Sequence, residues 1–148
     1  MKHTNSCISL KPAEAAYIAG LIDGEGTVTL VRKHANEYRQ LCISISSTER
    51  NLLEYVLSAT GVGKITNKRR SQDHHSPSFA YAVYNRQALD LLQMTNGYLQ
   101  SYKRLRAELI LSDYLKVTPR NGKYSSELLV KKKKFEMAVL TIKANRSS

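Results

Sequence analysis

Two carboxylates stand close together among glycines in the segment AYIAGLIDGEG, residues 16–26: Asp23 and Glu25. The residues before them follow a helical rhythm, which puts both acids at a helix C-terminus. The unpaired carbonyls of such an end already carry partial negative charge, so acids there are normally disfavoured. Carbonyl oxygens plus a carboxylate form a hard, oxygen-rich cluster of the kind that suits a divalent cation such as Mg2+, and the cation removes the repulsion. Two such centres side by side, next to a basic surface, have the makings of a phosphodiester-cleaving site. On this reading Glu25 is the acid that meets metal. Asp23 has a structural role, in local hydrogen bonding at the turn.

Ala16, Gly20 and Gly24 recur every four residues and share one helix face, with Ala19 and Asp23 in the neighbouring row. A face without side chains lets another backbone come very close. A second copy of the same helix would bring the two acidic ends together, although a tight contact within the domain satisfies the same spacing.

Charge narrows the partner. The chain has 148 residues with 23 Lys and Arg against 12 Asp and Glu, a net charge of +11. An excess of that size in a small domain points to a polyanion, most often nucleic acid. No apolar run approaches the ~20 residues needed to cross a bilayer, and the N-terminus lacks the apolar stretch of a secretory signal. Cys7 and Cys42 form no CxxC pattern and read as reduced thiols in a cytosol-like compartment. An intracellular location is expected, in an organelle or a prokaryotic cytoplasm.

The elements that must position the acids follow from pattern. Pro12 and Glu14 open a first helix that runs to about Gly24. TVTLVRK, residues 27–33, and EYRQLCISISS, residues 37–47, read as antiparallel strands, with Leu41, Ile43 and Ile45 on one face. Ser47 and Thr48 read as the cap of a second helix carrying Leu52, Leu53, Val56 and Leu57. Two more strands, residues 64–70 and 78–85, flank a polar loop that contains His74 and His75. A short helix over 86–94 follows. A longer one over 97–115 has Tyr98, Tyr102, Leu105 and Leu109 at helical spacing, and a last helix from about Ser126 has Phe135, Val139 and Ile142 on one side. The fold is α+β: an αββαββα core whose four-stranded antiparallel saddle sheet is covered by helices on one face, plus C-terminal helices. The chain reads as a single domain, with residues 1–10 a flexible arm and the other sheet face polar and basic. The lysine run 131–134 reads as a solvated face or a phosphate contact.

IAGLIDGEG, residues 18–26, resembles the signature of the LAGLIDADG homing endonucleases, with Glu in place of the commoner final Asp. ATGVGKI, residues 59–65, is similar to that family's glycine-containing turn into the third strand. YLQSYKRLRAEL, residues 98–109, is similar to the helix that carries its basic active-site residue. The resemblance implies a Mg2+-dependent, site-specific double-strand DNA endonuclease. Mn2+ would substitute, and Ca2+ would bind without supporting cleavage. It implies a homodimer with Ala16, Gly20 and Asp23 at the interface, reading a long pseudo-palindromic site and leaving staggered ends. Glu25 and the Gly24 carbonyl are then the metal ligands, and Lys103 assists the scissile phosphate. Ser47 falls where many members have a Gln or Asn that orients water; a serine is shorter. An RNA-splicing maturase, and a DNA-binding module without cleavage, are the rival readings of the same fold.

Strand alternation selects the DNA face. Val28 and Leu30 face the core, so Thr29, Val31 and Lys33 face outward. Gln40 and Ser44 do so on the second strand with Tyr38 near its end, and Lys64, Thr66 and Lys68 on the third, with Arg70 continuing the row. Gln and Arg can read base edges bidentately; Lys and Thr serve bases or phosphates.

Overall fold

The structure is a computed structural model that describes residues 6–68 and 77–144. Helix α1 (Pro12–Glu25) begins where the sequence places it, and the Lys11 amide donates to Glu14 Oε1 at 2.9 Å. Strands β1 (Gly26–Val31) and β2 (Gln40–Ser47) follow, then α2 (Arg50–Thr60), β3 (Lys64–Lys68), β4 (Ser78–Tyr84), α3 (Asn85–Thr95), α4 (Tyr102–Asp113) and α5 (Ser126–Thr141). Short 3-10 turns at Asn96–Tyr98 and Leu115–Val117 flank α4.

The sheet is antiparallel throughout, in the order β1-β2-β4-β3. Gly26 pairs with Ile45 and Val31 with Gln40, so β1 leads away from the end of α1 and β2 returns to it. One sheet face is covered. Val28, Leu30, Leu41, Ile43, Ile45 and Val83 pack against apolar residues of all five helices, among them Ile18, Leu53, Leu91, Ile110 and Val139. The α1–β1 junction is tight: a Cβ on Gly26 would lie 2.7 Å from the Ser44 carbonyl oxygen and 2.8 Å from the Ile22 Cα, so only glycine fits there. Gly61 (φ 70) ends α2 in the left-handed conformation that favours glycine.

Several boundaries move for physical reasons. The predicted single helix over 97–115 is broken at Leu99–Ser101, because the Gln100 and Ser101 amides donate to Asp23 rather than continue a helix. The core row of α4 is Lys103, Ala107 and Ile110, not the Tyr98, Tyr102, Leu105, Leu109 row; Leu105 is 57% exposed. Ser47 ends β2 and does not cap α2 directly. Its Oγ accepts from the Glu49 amide at 2.9 Å, one residue before the helix begins. β1 stops at Val31, which leaves Lys33 and Tyr38 in the β1–β2 connection. Part of the expected N-terminal arm is docked: the Ile8 amide donates to the Thr60 carbonyl at 2.8 Å, and Cys7 and Leu10 pack on the core. Both cysteines are free. Burial, with the charge of Asp90, pushes the Cys7 thiol up to about 11. No helix among the described residues is long and apolar enough to cross a membrane.

Candidate active site and nucleic-acid interface

The acidic end of α1 resolves into two carboxylates with different surroundings. Asp23 turns toward the start of α4. Its Oδ2 accepts from the Gln100 amide at 2.8 Å, and its Oδ1 from the Ser101 amide at 3.1 Å and the Ser101 hydroxyl at 2.5 Å. Burial pushes the Asp23 carboxyl up. The hydrogen bonds from Ser101 and Gln100, with the Lys103 charge, outweigh burial and hold it below the ordinary aspartate value. Glu25 is different: it is exposed, and no hydrogen bond or ion pair holds it among the described residues.

Lys103 answers the negative helix end. It projects from the first turn of α4, is 8% exposed, and its ammonium donates to the Ile22 carbonyl at 2.9 Å and the Asp23 carbonyl at 2.8 Å. The Asp23 carbonyl at the helix terminus and the Ile22 carbonyl, which also accepts from the Gly26 amide, thus both meet a cation, which opposes the helix dipole. Burial pulls the Lys103 pKa below the ordinary lysine value, while the charges of Asp23 and Glu25 push it back up. Asp23 and Lys103 therefore form a reciprocal latch: a carboxylate from α1 caps α4, and an ammonium from α4 caps α1. Ser101 belongs to it too, since its hydroxyl, besides donating to Asp23, accepts from the Lys103 amide. The sequence reading omits Ser101, although a serine two residues before a buried lysine carried the signal of a helix start.

The expected interface residues separate. Ala16 and Gly20 are exposed on α1, and a Cβ on Gly20 or Gly24 would meet nothing within 4 Å. Asp23 leaves that stripe to bind α4. Tyr17, 46% exposed, flanks it and stacks edge-on against Tyr55 of α2 with ring centroids 5.2 Å apart.

The open sheet face carries the expected alternation. Thr29, Val31, Gln40, Ser44, Lys64, Thr66 and Lys68 lie on it, each exposed or half-buried. Arg70, His74 and His75 lie outside the described residues. Register adds neighbours that the sequence reading did not name: Thr27, Ser44, Ala82 and Lys64 form one row, Ser46, Ala80 and Thr66 another, and Tyr84 stands beside Cys42. Thr27 and Ser44 share a hydrogen bond of 2.7 Å, and Lys68 Nζ donates to Ser46 Oγ at 3.3 Å. Most of this face is small and hydroxyl-bearing rather than basic. Its described lysines, Lys64 and Lys68, both belong to edge strand β3.

The lysine run 131–134 also divides. Lys131, Lys133 and Lys134 are exposed, but Lys132 is 2% exposed and its ammonium donates to Thr118 Oγ1 at 2.9 Å. Among the described residues no group of three His, Cys, Asp or Glu side chains is placed to hold a metal ion.

Comparison with known proteins agrees with this architecture. A family model described as a LAGLIDADG-like domain matches residues 12–136. The structure of the homing endonuclease I-CvuI in complex with its target, in the presence of 2 mM Ca, superposes with a TM-score of 0.72 at 16% identity, over 93% of this chain and 87% of that one. I-CvuI bound to the I-CreI target in 2 mM Mg gives 0.70 at 18% identity, over 92% and 86%. The archaeal intron-encoded homing endonuclease I-Vdi141I complexed with DNA gives 0.58 at 16%, over 92% and 87%. At such identities the likeness is one of fold. No curated protein matches the chain in sequence.

Proposed function

The chain belongs to the LAGLIDADG-like family, and from that premise we propose that it is a site-specific, metal-dependent double-strand DNA endonuclease acting as a homodimer. The observation that carries the reading is the junction at the end of α1. There the exposed Glu25 carboxylate, held by no hydrogen bond among the described residues, acts on the Lys103 ammonium through its charge, at the end of β1 where the open sheet face begins.

The donors fit a hard divalent cation: the Glu25 carboxylate, and the Gly24 carbonyl one residue beyond those that Lys103 takes. Among the described residues no third acidic or imidazole donor joins them, and the open Ala16–Gly20–Gly24 stripe leaves room for a two-fold partner to bring a second such end alongside. Mg2+, when bound, would supply Lewis acidity and a water of lowered pKa. The chain's own residues do the rest. Lys103 keeps one of its three ammonium donors beyond the two carbonyls, for charge that develops on a phosphate oxygen. The Ser47 hydroxyl accepts from Glu49 and can still donate to a water. The small side chains of the open sheet face leave room for base edges in a major groove, with Gln40 and Thr29 as readers and Lys64 and Lys68 toward the backbone.

The test is cleavage of a randomised duplex library by purified protein with Mg2+, with Ca2+ and with chelator. A discrete, two-fold-related set of cut sites with Mg2+ and uncut complexes with Ca2+ are expected. Duplex binding without cleavage would leave a DNA-binding module, and binding of structured RNA in preference to duplex would favour the maturase reading.

A further inference from the structure

The end of the sheet away from Glu25 holds an open cleft of about 730 Å3, between the β1–β2 connection, the start of α3, the segment after α4, and α5. Its wall includes the buried Lys132. Burial of that ammonium costs solvation, and its only bond among the described residues is to Thr118 Oγ1, with the Tyr114 ring 5.5 Å away. An ammonium has three donors, so two remain. Burial pulls the Lys132 pKa below the ordinary value, with Glu136 partly restoring it; a bound anion would restore it further.

Other features point the same way. Arg86 and Arg120 line the cleft, and Arg86 Nη2 donates to the Thr118 carbonyl at 3.2 Å, which holds it on the same segment as the Lys132 partner. The first residues of α3, Asn85 and Arg86, line the cleft, which places the positive end of that helix at its wall, and Tyr84 supplies no side-chain cap there. Asn85, the first residue of α3, has φ 55, the sole positive φ of a non-glycine residue among the described residues. The acids at this end are Glu37 on the rim and Glu136. The latter is engaged by Arg39, whose Nε lies 3.4 Å from Glu136 Oε1. Cations outnumber them.

Gln40 and Tyr84 belong both to the cleft and to the open sheet face. Six residues of β1 at about 3.3 Å each separate the cleft from the Glu25 end by roughly 20 Å. We propose that this cleft, built on Lys132, Arg86, Arg120 and the α3 N-terminus, binds a backbone phosphate of duplex DNA at the outer end of each half-site, and so sets the length of the footprint. The inference rests on the DNA reading above.

The test is phosphate-ethylation interference and salt-dependent binding on a duplex cut by the wild type, for Arg120→Gln and Lys132→Met. Arg120 is exposed, so its variant folds even if Lys132→Met does not. Each variant is expected to weaken binding about tenfold, to lower the slope of log K against log salt by about one, and to erase interference at one symmetric pair of outer phosphates, leaving the inner ones unchanged. An unchanged interference pattern and salt slope in Arg120→Gln would overturn the proposal. If the wild type binds no duplex, the DNA reading fails first, and inorganic phosphate decides the cleft. A melting temperature raised by millimolar phosphate over chloride at equal ionic strength, and lost in Arg120→Gln, keeps it as a site for free phosphate; no such rise removes it.

Discussion

Lys103 and Lys132 are both buried lysines on C-terminal helices, and in both burial depresses the ammonium pKa. Their partners differ. Lys103 meets two carbonyls at a negative helix end beside two carboxylates; Lys132 meets one hydroxyl and an aromatic ring, beside two guanidiniums and a positive helix end. The first is an internal counter-charge, largely satisfied by the protein itself. The second has Glu136 one turn along its own helix, but Arg39 also engages that carboxylate, and the guanidiniums of Arg86 and Arg120 line the same cleft, so its charge is only partly answered from within. The two ends of one sheet thus differ in charge: acids and open carbonyls gather at one, guanidiniums and a buried ammonium at the other, which is the contrast that the proposed metal and phosphate sites rest on.

The sharpest break in that comparison is Glu25→Gln. The shape is kept and the charge is lost, so cleavage should fall below detection while duplex binding in Ca2+ weakens only modestly. A cutting Glu25→Gln protein would end the metal assignment. Next is Lys103→Met, which leaves the Ile22 and Asp23 carbonyls without their cation. A loss of about 1–3 kcal/mol in denaturant-derived stability is expected, with a single-turnover rate on saturated DNA about 10²-fold lower. Stability lost with the rate intact would make the lysine a clamp alone. Gly20→Leu fills the open stripe where a Cβ meets nothing in one protomer. It should leave the monomer folded and abolish the dimer in sedimentation, whereas a folded dimer would exclude this helix from the interface.

Smaller effects sharpen the same picture. Asp23 has a depressed pKa in the folded protein, so its contribution is full above the unfolded value near ~4 and is lost as pH falls through the lower folded value. Asp23→Asn should therefore be about 1–2 kcal/mol less stable than wild type at pH 7, and the gap should close below pH ~4. A gap that persists at pH 2 would show that the carboxylate charge is not what Ser101 and Gln100 recognise. Smallest of all, Lys133→Gln with Lys134→Gln should change stability by less than about 0.5 kcal/mol. An effect as large as that of Lys132→Met would erase the distinction within the run.

Much of the fold was readable because α1, β1, β2 and α2 obey local rules: a proline start, strand alternation, a glycine stop. What stayed hidden was tertiary. The break before α4 exists because Asp23, some 77 residues earlier in the chain, takes the Gln100 amide; no window around Gln100 contains that partner. Lys103 and Lys132 occupy core rows on their helices, so hydrophobic periodicity drew the inward face of α4 through Leu105 instead. Among four consecutive lysines, the one that Thr118 holds is the one in phase with Phe135 and Val139, a helical register that the charge of the run obscured. Asp23 reads from the sequence as the structural acid of the pair, bonded locally at its turn; its partners proved to be Gln100 and Ser101 at the start of α4 instead.

The open sheet face has one more consequence. Thr27, Ser44, Ser46, Ala80 and Ala82 are small, and the core lies wholly on the other side of the strands. Side chains outside the core, tied to one another only by the Thr27–Ser44 and Lys68–Ser46 hydrogen bonds, can be exchanged at less cost to folding than core residues, typically within about 0.5 kcal/mol where they are exposed. Gln40, Lys64 and Thr66 sit among them with the same freedom. If the proposed DNA reading holds, such a surface would let the target drift by single substitutions without passing through an unfolded ancestor, while the latch at the end of α1 stays as it is.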